Sequence, residues 1–164
     1  MPDLQTTLSA HRRVVDSFLV AARAIPESQW RQPRHPGKWS PGQVVEHVAL
    51  AYEVNRGVLL GRPAPMTAPR FLRPLIRRFG LQPVLRRSRF IPGSRSPKLL
   101  RPSDSPASPS VLLERVRAAA VDFEADAARA GTTVDHPFFG HIPLLDFVRL
   151  QEIHTAHHRE QLLG

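Results

Sequence analysis

The chain has no cysteine, and it holds only two lysines, Lys38 and Lys98. The absence of cysteine excludes disulfides, thiolate metal ligands and cysteine nucleophiles, which leaves histidine and carboxylate side chains as metal ligands. No stretch approaches the roughly 20 apolar residues that a membrane-spanning helix needs. The first ten residues also lack the basic and apolar regions of a signal peptide, so we expect a cytoplasmic protein without a transmembrane segment.

The charge of the chain is strongly basic and unevenly distributed. The 164 residues carry a formal net charge of +9, and much of the excess lies between Arg70 and Arg101. Such a charge suits nucleic acid or a membrane surface. An arginine-rich, proline-rich and lysine-poor composition is also typical of a GC-rich genome, however, and we do not expect specific nucleic-acid binding. The length favours a single domain covering residues 1–164.

Apolar residues recur at intervals of three and four along four segments, which predicts four amphipathic helices. The predicted helices cover residues 1–24, 40–60, 110–130 and 143–163. Ser40 is a plausible N-cap for the second helix, and Pro41 suits its first position. No segment shows a convincing strand periodicity, and residues 132–142 are predicted to form a loop. The expected fold is therefore an all-α four-helix bundle.

A long crossover rich in proline and arginine separates the second and third predicted helices. It covers residues 61–109, and we interpret it as an irregular basic insertion. Phe71–Phe79 and Leu81–Arg89 could each form a short helix within it. A connection of this length in a small domain is usually functional or mobile. It could be a lid, a membrane-adjacent amphipathic piece or an oligomer contact.

Three histidines are predicted to point into the core. His154 and His158 are four residues apart and therefore lie on one face of the last helix, one turn from each other. His47 shares the apolar face of the second helix. Inward side chains from facing helices build metal sites in bundles, and three ligands leave a fourth position for water or substrate. The alternative is that each histidine is a hydrogen-bonded core residue, and spacing alone leaves both interpretations open.

Two blocks of sequence resemble the DinB-like (DinB/YfiT-type) metalloenzyme family. The first block runs from Gly37-Lys38-Trp39-Ser40 to His47-Val48, and the second runs from His136-Pro137-Phe138-Phe139-Gly140 through Phe147 to His154-Thr155-Ala156-His157-His158-Arg159-Glu160-Gln161. They are similar to a tryptophan-serine opening of the second helix with a downstream histidine, and to the family's histidine-rich ending. Both blocks stand in the family's order, and the likeness extends over most of the chain outside residues 61–109.

The resemblance implies a four-helix bundle, frequent homodimers and a divalent metal, commonly nickel or zinc, held by His47, His154 and His158. Some relatives are S-transferases that use low-molecular-weight thiols such as bacillithiol or mycothiol, and one branch is a maleylpyruvate isomerase. Phe147 stands where the family often has tryptophan. The basic insertion is unusual, so the identity of the small-molecule substrate does not carry over.

Three further side chains are candidates to support a ligand imidazole or to face the substrate: Gln43, Gln151 and His157. Glu46, Glu152 and Glu160 lie off the histidine face, so no carboxylate is placed as a general base and no catalytic residue is assigned. We expect a metal-dependent transferase or hydrolase that activates a thiol or water. The alternative is a non-catalytic dimeric scaffold whose arginine-rich segment contacts an anionic partner.

Overall fold

The structure, a computed structural model, describes residues 3–90 and 96–164. Most of these residues are helical. The four long helices are α1 (Leu4–Arg23), α2 (Pro41–Leu59), α5 (Pro109–Arg129) and α6 (Leu144–Leu163), and the short elements are α3 (Arg73–Ile76), α4 (Gln82–Arg87), β1 (Thr133–His136) and β2 (Gly140–Pro143). None of the helices in these two ranges combines the length and the apolar content needed to cross a membrane.

Side-chain caps fix where the first two long helices begin. The Asp3 carboxylate accepts a hydrogen bond of 2.7 Å from the Thr6 N–H at the start of α1. Ser40 and Gln43 form a reciprocal capping box at the start of α2, with Pro41 in the first helical turn. A capping box satisfies two backbone N–H groups that would otherwise lack an acceptor. The predicted start of α2 is confirmed.

The four long helices share one core. Helix α1 packs mainly on α6, and α2 packs mainly on α5. Phe18, Phe123 and Phe147 are fully buried where these helices meet. The inward histidine His47 belongs to the same interior, because only 3% of its surface is exposed. The predicted all-α class is therefore correct for the main body of the molecule.

The segment between α5 and α6 differs from the prediction. In place of a loop over residues 132–142, strands β1 and β2 form an antiparallel hairpin in which Val134 pairs with Ile142. Both of these side chains are buried, while Asp135 and His141 between them are exposed. Gly140 takes the left-handed conformation, with φ of +68°, where the chain turns back. Each strand is only four residues long, which is too short for a period of two to stand out in the sequence.

The crossover contains one unbroken helical stretch from Arg70 to Arg87. It begins as a 3₁₀ turn, continues as α3, widens into a π-helical turn over Arg77–Leu81 and ends as α4. Pro83 explains the wide turn, because it has no N–H to donate and its ring crowds the carbonyl four residues earlier. The two short helices predicted here are therefore joined. Residues 91–95 of the predicted insertion lie outside the described residues.

Candidate metal centre

Helices α2 and α6 bring three imidazole rings together. His47 Nε2 lies 3.0 Å from His154 Nε2, and His158 Nε2 lies 3.2 Å from the same atom. All three nitrogens lie within 4.8 Å of one another. Two nitrogens bound tetrahedrally to one zinc-like ion at about 2.0–2.1 Å would be about 3.3 Å apart. The three rings that were predicted to point into the core meet inside the molecule, and the spacing of their nitrogens has the size of a metal site.

Two of the rings are held by hydrogen bonds at the far side of the imidazole. His47 Nδ1–H donates to the Leu100 carbonyl oxygen over 2.6 Å. His158 Nδ1–H donates to Gln161 Oε1 over 2.9 Å, while the Gln161 amide donates to His157 Nε2. In a neutral imidazole only one nitrogen carries hydrogen, so Nε2 of His47 and of His158 presents a lone pair to the cluster. This arrangement fixes both rings in the form that a metal requires.

Among the described residues, the two ring nitrogens of His154 are not both satisfied by hydrogen bonds. Its Nε2 faces two nitrogen lone pairs, and a single N–H can donate to only one of them. Its Nδ1 is buried without a hydrogen-bond partner there. A cation between the three Nε2 atoms would satisfy all three lone pairs at once, with Nδ1 of His154 then protonated. The donor set therefore fits a divalent metal.

The electrostatics of the site favour uncharged imidazoles. Burial lowers the pKa of His47, and it lowers the pKa of His158 to about 3, with a smaller contribution from the neighbouring His47. The pKa of His154 is held well below its ordinary value, first by burial and then by the adjacent histidines. All three rings are therefore neutral near pH 7. Because a metal binds only the unprotonated nitrogen, no proton has to be displaced at that pH.

Aromatic rings stand on two sides of the cluster. The Trp39 ring centre lies 4.8 Å from that of His47. The Phe90 ring centre lies 5.7 Å from those of His154 and His157. Trp39 and Phe90 are both half-buried, so each reaches from the interior to the surface. They shield the imidazole rings from water and give the surroundings of the site an apolar character.

The three other candidates have separate contacts. Gln43 Oε1 accepts from the Ser40 N–H over 3.0 Å, so this side chain completes the start of α2. Gln151 Oε1 accepts from the Asn55 amide over 2.6 Å, and among the described residues it makes no hydrogen bond to a cluster histidine. His157 contacts the cluster through Gln161. Of the three, His157 is the one that the structure connects to a cluster histidine.

The carboxylates near the helices are engaged elsewhere. Glu46 accepts from the Ser103 N–H over 3.0 Å, and Glu152 pairs with Arg149 over 2.6 Å. Glu160 pairs with its neighbour Arg159. Among the described residues the cluster of possible metal ligands contains only the three histidines. A ligand set of three imidazoles is neutral and leaves room for a further ligand.

Two residues that orient the cluster were not among the candidate site residues predicted from the sequence. Gln161 lies three residues after His158 and four after His157, so helical spacing could have revealed it. Leu100 acts through its backbone carbonyl and lies 53 positions from His47, in a segment without periodicity. No sequence signal points to it. Phe90, which precedes the segment outside the described residues, was missed for the same reason.

The protein is mostly helical, and two of its helices bring three neutral imidazoles together. It therefore falls in the class of helical proteins with a candidate three-histidine metal site. The family model of the DinB superfamily matches residues 10–162, and the chain belongs to that superfamily. No curated protein and no solved structure matches the chain. The matched range includes both blocks on which the DinB-like resemblance rests, and also the basic crossover between them.

Proposed function

We propose that this protein is a divalent-metal-dependent enzyme that uses His47, His154 and His158 as ligands. The observation that carries the proposal is the convergence of three Nε2 atoms, two of them fixed by hydrogen bonds at Nδ1. Imidazole nitrogens suit nickel and zinc, the two metals that the family resemblance implies. The wider proposal is one four-helix-bundle domain over residues 1–164 that forms a homodimer and works in the cytoplasm.

The proposed reaction is S-transfer, in which the sulfur of a low-molecular-weight thiol replaces a leaving group on an electrophilic small molecule, or hydrolysis, in which water replaces that leaving group. The leaving group departs as its anion, and the thiol or water loses one proton. A divalent ion held by His47, His154 and His158 would supply Lewis acidity, which favours the deprotonated form of a thiol or water. Residues of the chain hold the ligand rings in place through Leu100 and Gln161. Trp39 and Phe90 exclude water from two sides. Because the cluster formed by the described residues contains no carboxylate, the proton of the thiol or water would pass to the solvent.

Metal analysis of the purified protein tests the ligand set. We expect about one nickel or zinc per chain in the wild type and strong loss of metal in the His154→Ala/His158→Ala double variant, because a single imidazole remains. His35→Ala/His141→Ala is the matched control, since both of these histidines are exposed. It should keep its metal. Stoichiometric metal in the first variant would contradict the proposed site.

An activity measurement distinguishes the two reactions. The metal-loaded protein is incubated with an electrophilic alkyl or acyl compound, with and without a low-molecular-weight thiol, and product formation is followed by mass spectrometry. Product that appears only with thiol, and carries the thiol sulfur in place of the leaving group, supports S-transfer. Product that carries a hydroxyl group in place of the leaving group, and forms without thiol, supports hydrolysis. If the metal-loaded wild type is no faster than the His154→Ala/His158→Ala variant in either assay, the enzyme proposal fails.

A further inference from the structure

The basic charge of the molecule is concentrated in one segment. Between Glu53 and Asp104 the sequence holds 12 of the 23 basic side chains and none of the 14 acidic ones, which leaves a net charge of −3 on the remainder. The whole excess of positive charge therefore belongs to residues 54–103. This stretch includes the helical segment from Arg70 to Arg87, which the metal cluster does not use.

That helical segment presents an apolar stripe to the solvent. Phe71, Leu75 and Phe79 follow one another at intervals of four, and their surfaces are 80%, 55% and 64% exposed. Residues four apart on a helix lie on one face. Large apolar side chains exposed together in this way mark an interaction surface, whereas single exposed apolar residues are ordinary. We call these three residues the apolar stripe.

The stripe belongs to an anchored element. On the opposite face of the same segment, Leu81 and Val84 are buried in the molecule. Arg77 Nη1 donates to the His141 carbonyl over 2.9 Å, and Arg149 Nη2 donates to Ser88 Oγ over 2.9 Å. These contacts tie the segment to the hairpin and to α6. The stripe is therefore held outward by packing on its other side.

Exposed arginines lie beside the stripe in the sequence, at Arg70 and Arg78, and continue after it, at Arg86, Arg87 and Arg89. The ion pairs within residues 3–90 and 96–164 include none of them. The Arg78 guanidinium lies over the Phe79 ring, 5.8 Å from its centre. The segment thus combines an apolar stripe with exposed cations. This is the pattern of helices that lie in the interface of an anionic membrane.

We propose that the apolar stripe and these exposed arginines dock the protein on the surface of an anionic lipid bilayer. Phenylalanine and leucine side chains enter the region between headgroups and acyl chains, while guanidinium groups pair with lipid phosphates and carboxylates. A second copy of this chain fits poorly, because it would bring two sets of arginines together. Nucleic acid fits this surface less well than a bilayer does, because its phosphates bind cations and make no use of a leucine at the centre of the surface.

Co-sedimentation with vesicles tests the proposal on the full chain. We expect binding to vesicles that contain one-third phosphatidylserine in phosphatidylcholine, weaker binding at high salt and none to phosphatidylcholine alone. The variant Phe71→Ser/Leu75→Ser/Phe79→Ser should lose binding at least about tenfold. The variant Arg70→Gln/Arg78→Gln/Arg87→Gln should lose about 100-fold, on the basis of roughly fivefold for each cation near the lipid surface.

Two control variants separate this surface from general stickiness and general charge. Val20→Ser/Val121→Ser removes exposed apolar side chains elsewhere, which are 64% and 61% exposed. Arg13→Gln/Arg23→Gln/Arg31→Gln removes the same charge from other exposed sites. The valine control should bind anionic vesicles like the wild type. The arginine control should lose much less vesicle binding than the Arg70→Gln/Arg78→Gln/Arg87→Gln variant. Equal losses in the surface variants and their controls would overturn the proposal.

Other results would also overturn it. One is the absence of wild-type binding to anionic vesicles at low salt. Another is binding to single-stranded RNA or DNA that persists in the triple serine variant while vesicle binding is absent, which would assign the arginines to nucleic acid. A third is a dimer that becomes monomeric in the triple serine variant, without vesicle binding by the wild type. Sedimentation velocity measures that outcome.

Discussion

Gly42 lies at the start of α2, where no side chain fits. A Cβ atom there would lie 2.7 Å from Trp30 Nε1 and 2.9 Å from Pro106 Cγ. The buried Trp30 indole donates a hydrogen bond of 2.9 Å to the Ala107 carbonyl, which joins the loop before α2 to the loop before α5. A methyl group at position 42 must displace this indole or the helix. Glycine is therefore required here by close approach.

We predict that Gly42→Ala lowers the free energy of unfolding by about 1–3 kcal/mol, the usual cost of overpacking. Gly57→Ala in the same helix is the matched control, because its nearest atoms would be 3.9 Å away. That change should leave stability equal or raise it by about 0.5–1 kcal/mol, since alanine is the better helix former. Urea unfolding measures both. Similar changes in the two variants would argue against the steric explanation.

Gln161 accepts the hydrogen bond that orients His158, so we expect it to affect the affinity for the proposed metal. Gln161→Leu removes the acceptor for His158 Nδ1–H, so the apparent Kd for nickel or zinc should rise about 10–100-fold. Gln161→Glu keeps an oxygen acceptor and should retain most of the affinity. Glu160→Gln changes the neighbouring exposed residue and serves as the control. Chelator competition measures the Kd, and wild-type affinity in the leucine variant would exclude this orienting role.

Four long helices meet at one buried chain of polar side chains. His11 Nδ1–H of α1 donates to Glu124 Oε1 of α5 over 2.8 Å. The Tyr52 hydroxyl of α2 lies 2.8 Å from His11 Nε2 and 2.8 Å from Thr155 Oγ1 of α6. The Thr155 hydroxyl in turn donates to the Gln151 carbonyl. Every member is buried, so the loss of one leaves its neighbours without a partner.

We predict that Tyr52→Phe lowers the free energy of unfolding by about 1–3 kcal/mol, because His11 and Thr155 lose a buried partner. Ser17→Ala removes a half-buried hydroxyl and should stay within about 0.5 kcal/mol of the wild type. Denaturant unfolding of Tyr52→Phe, Thr155→Val and the double variant tests for coupling. Additive effects of the two changes would mean that the hydroxyls do not interact.

The long helices are predictable from the sequence because their apolar period and caps are local signals. Ser40, Pro41 and the apolar spacing around His47 are enough to place α2 and to turn its histidine inward. The hairpin was missed because four-residue strands carry too little periodicity, and its pairing depends on packing against the rest of the molecule. The hydrogen bond that orients His47 could not be predicted at all. A backbone carbonyl has no residue type, so Leu100 leaves no trace in the sequence.

At the scale of the whole molecule, stability should depend on pH through His136. This ring stacks on Phe139, and its Nδ1 accepts a hydrogen bond from the Phe138 N–H over 3.2 Å. Burial lowers the pKa of His136 from 6.5 to about 4. Between about pH 6.5 and pH 4, the unfolded chain therefore binds a proton at His136 that the folded protein does not bind. The contribution of neutral His136 to the free energy of unfolding is complete above about pH 6.5, and it is lost as the pH falls toward 4.

The shift corresponds to at most about 3 kcal/mol. His136→Asn keeps an acceptor for the Phe138 N–H but does not titrate. We predict that the stability difference between wild type and this variant shifts against the wild type, by up to this amount, as the pH falls from 7 to 4. Unfolding curves across this range measure it, and other buried histidines contribute equally to both proteins. A difference that is independent of pH would refute the assignment to His136.

The Leu100 carbonyl that holds His47 has a consequence for how this sequence can change. A hydrogen bond to the main chain survives almost any substitution of the residue that provides it. The segment around it can therefore vary freely in side chains while it still orients the imidazole. It tolerates insertions and deletions far less well, because a shift of one position moves the carbonyl away. Sequence drift in this region should thus appear as replacement of residues at constant length.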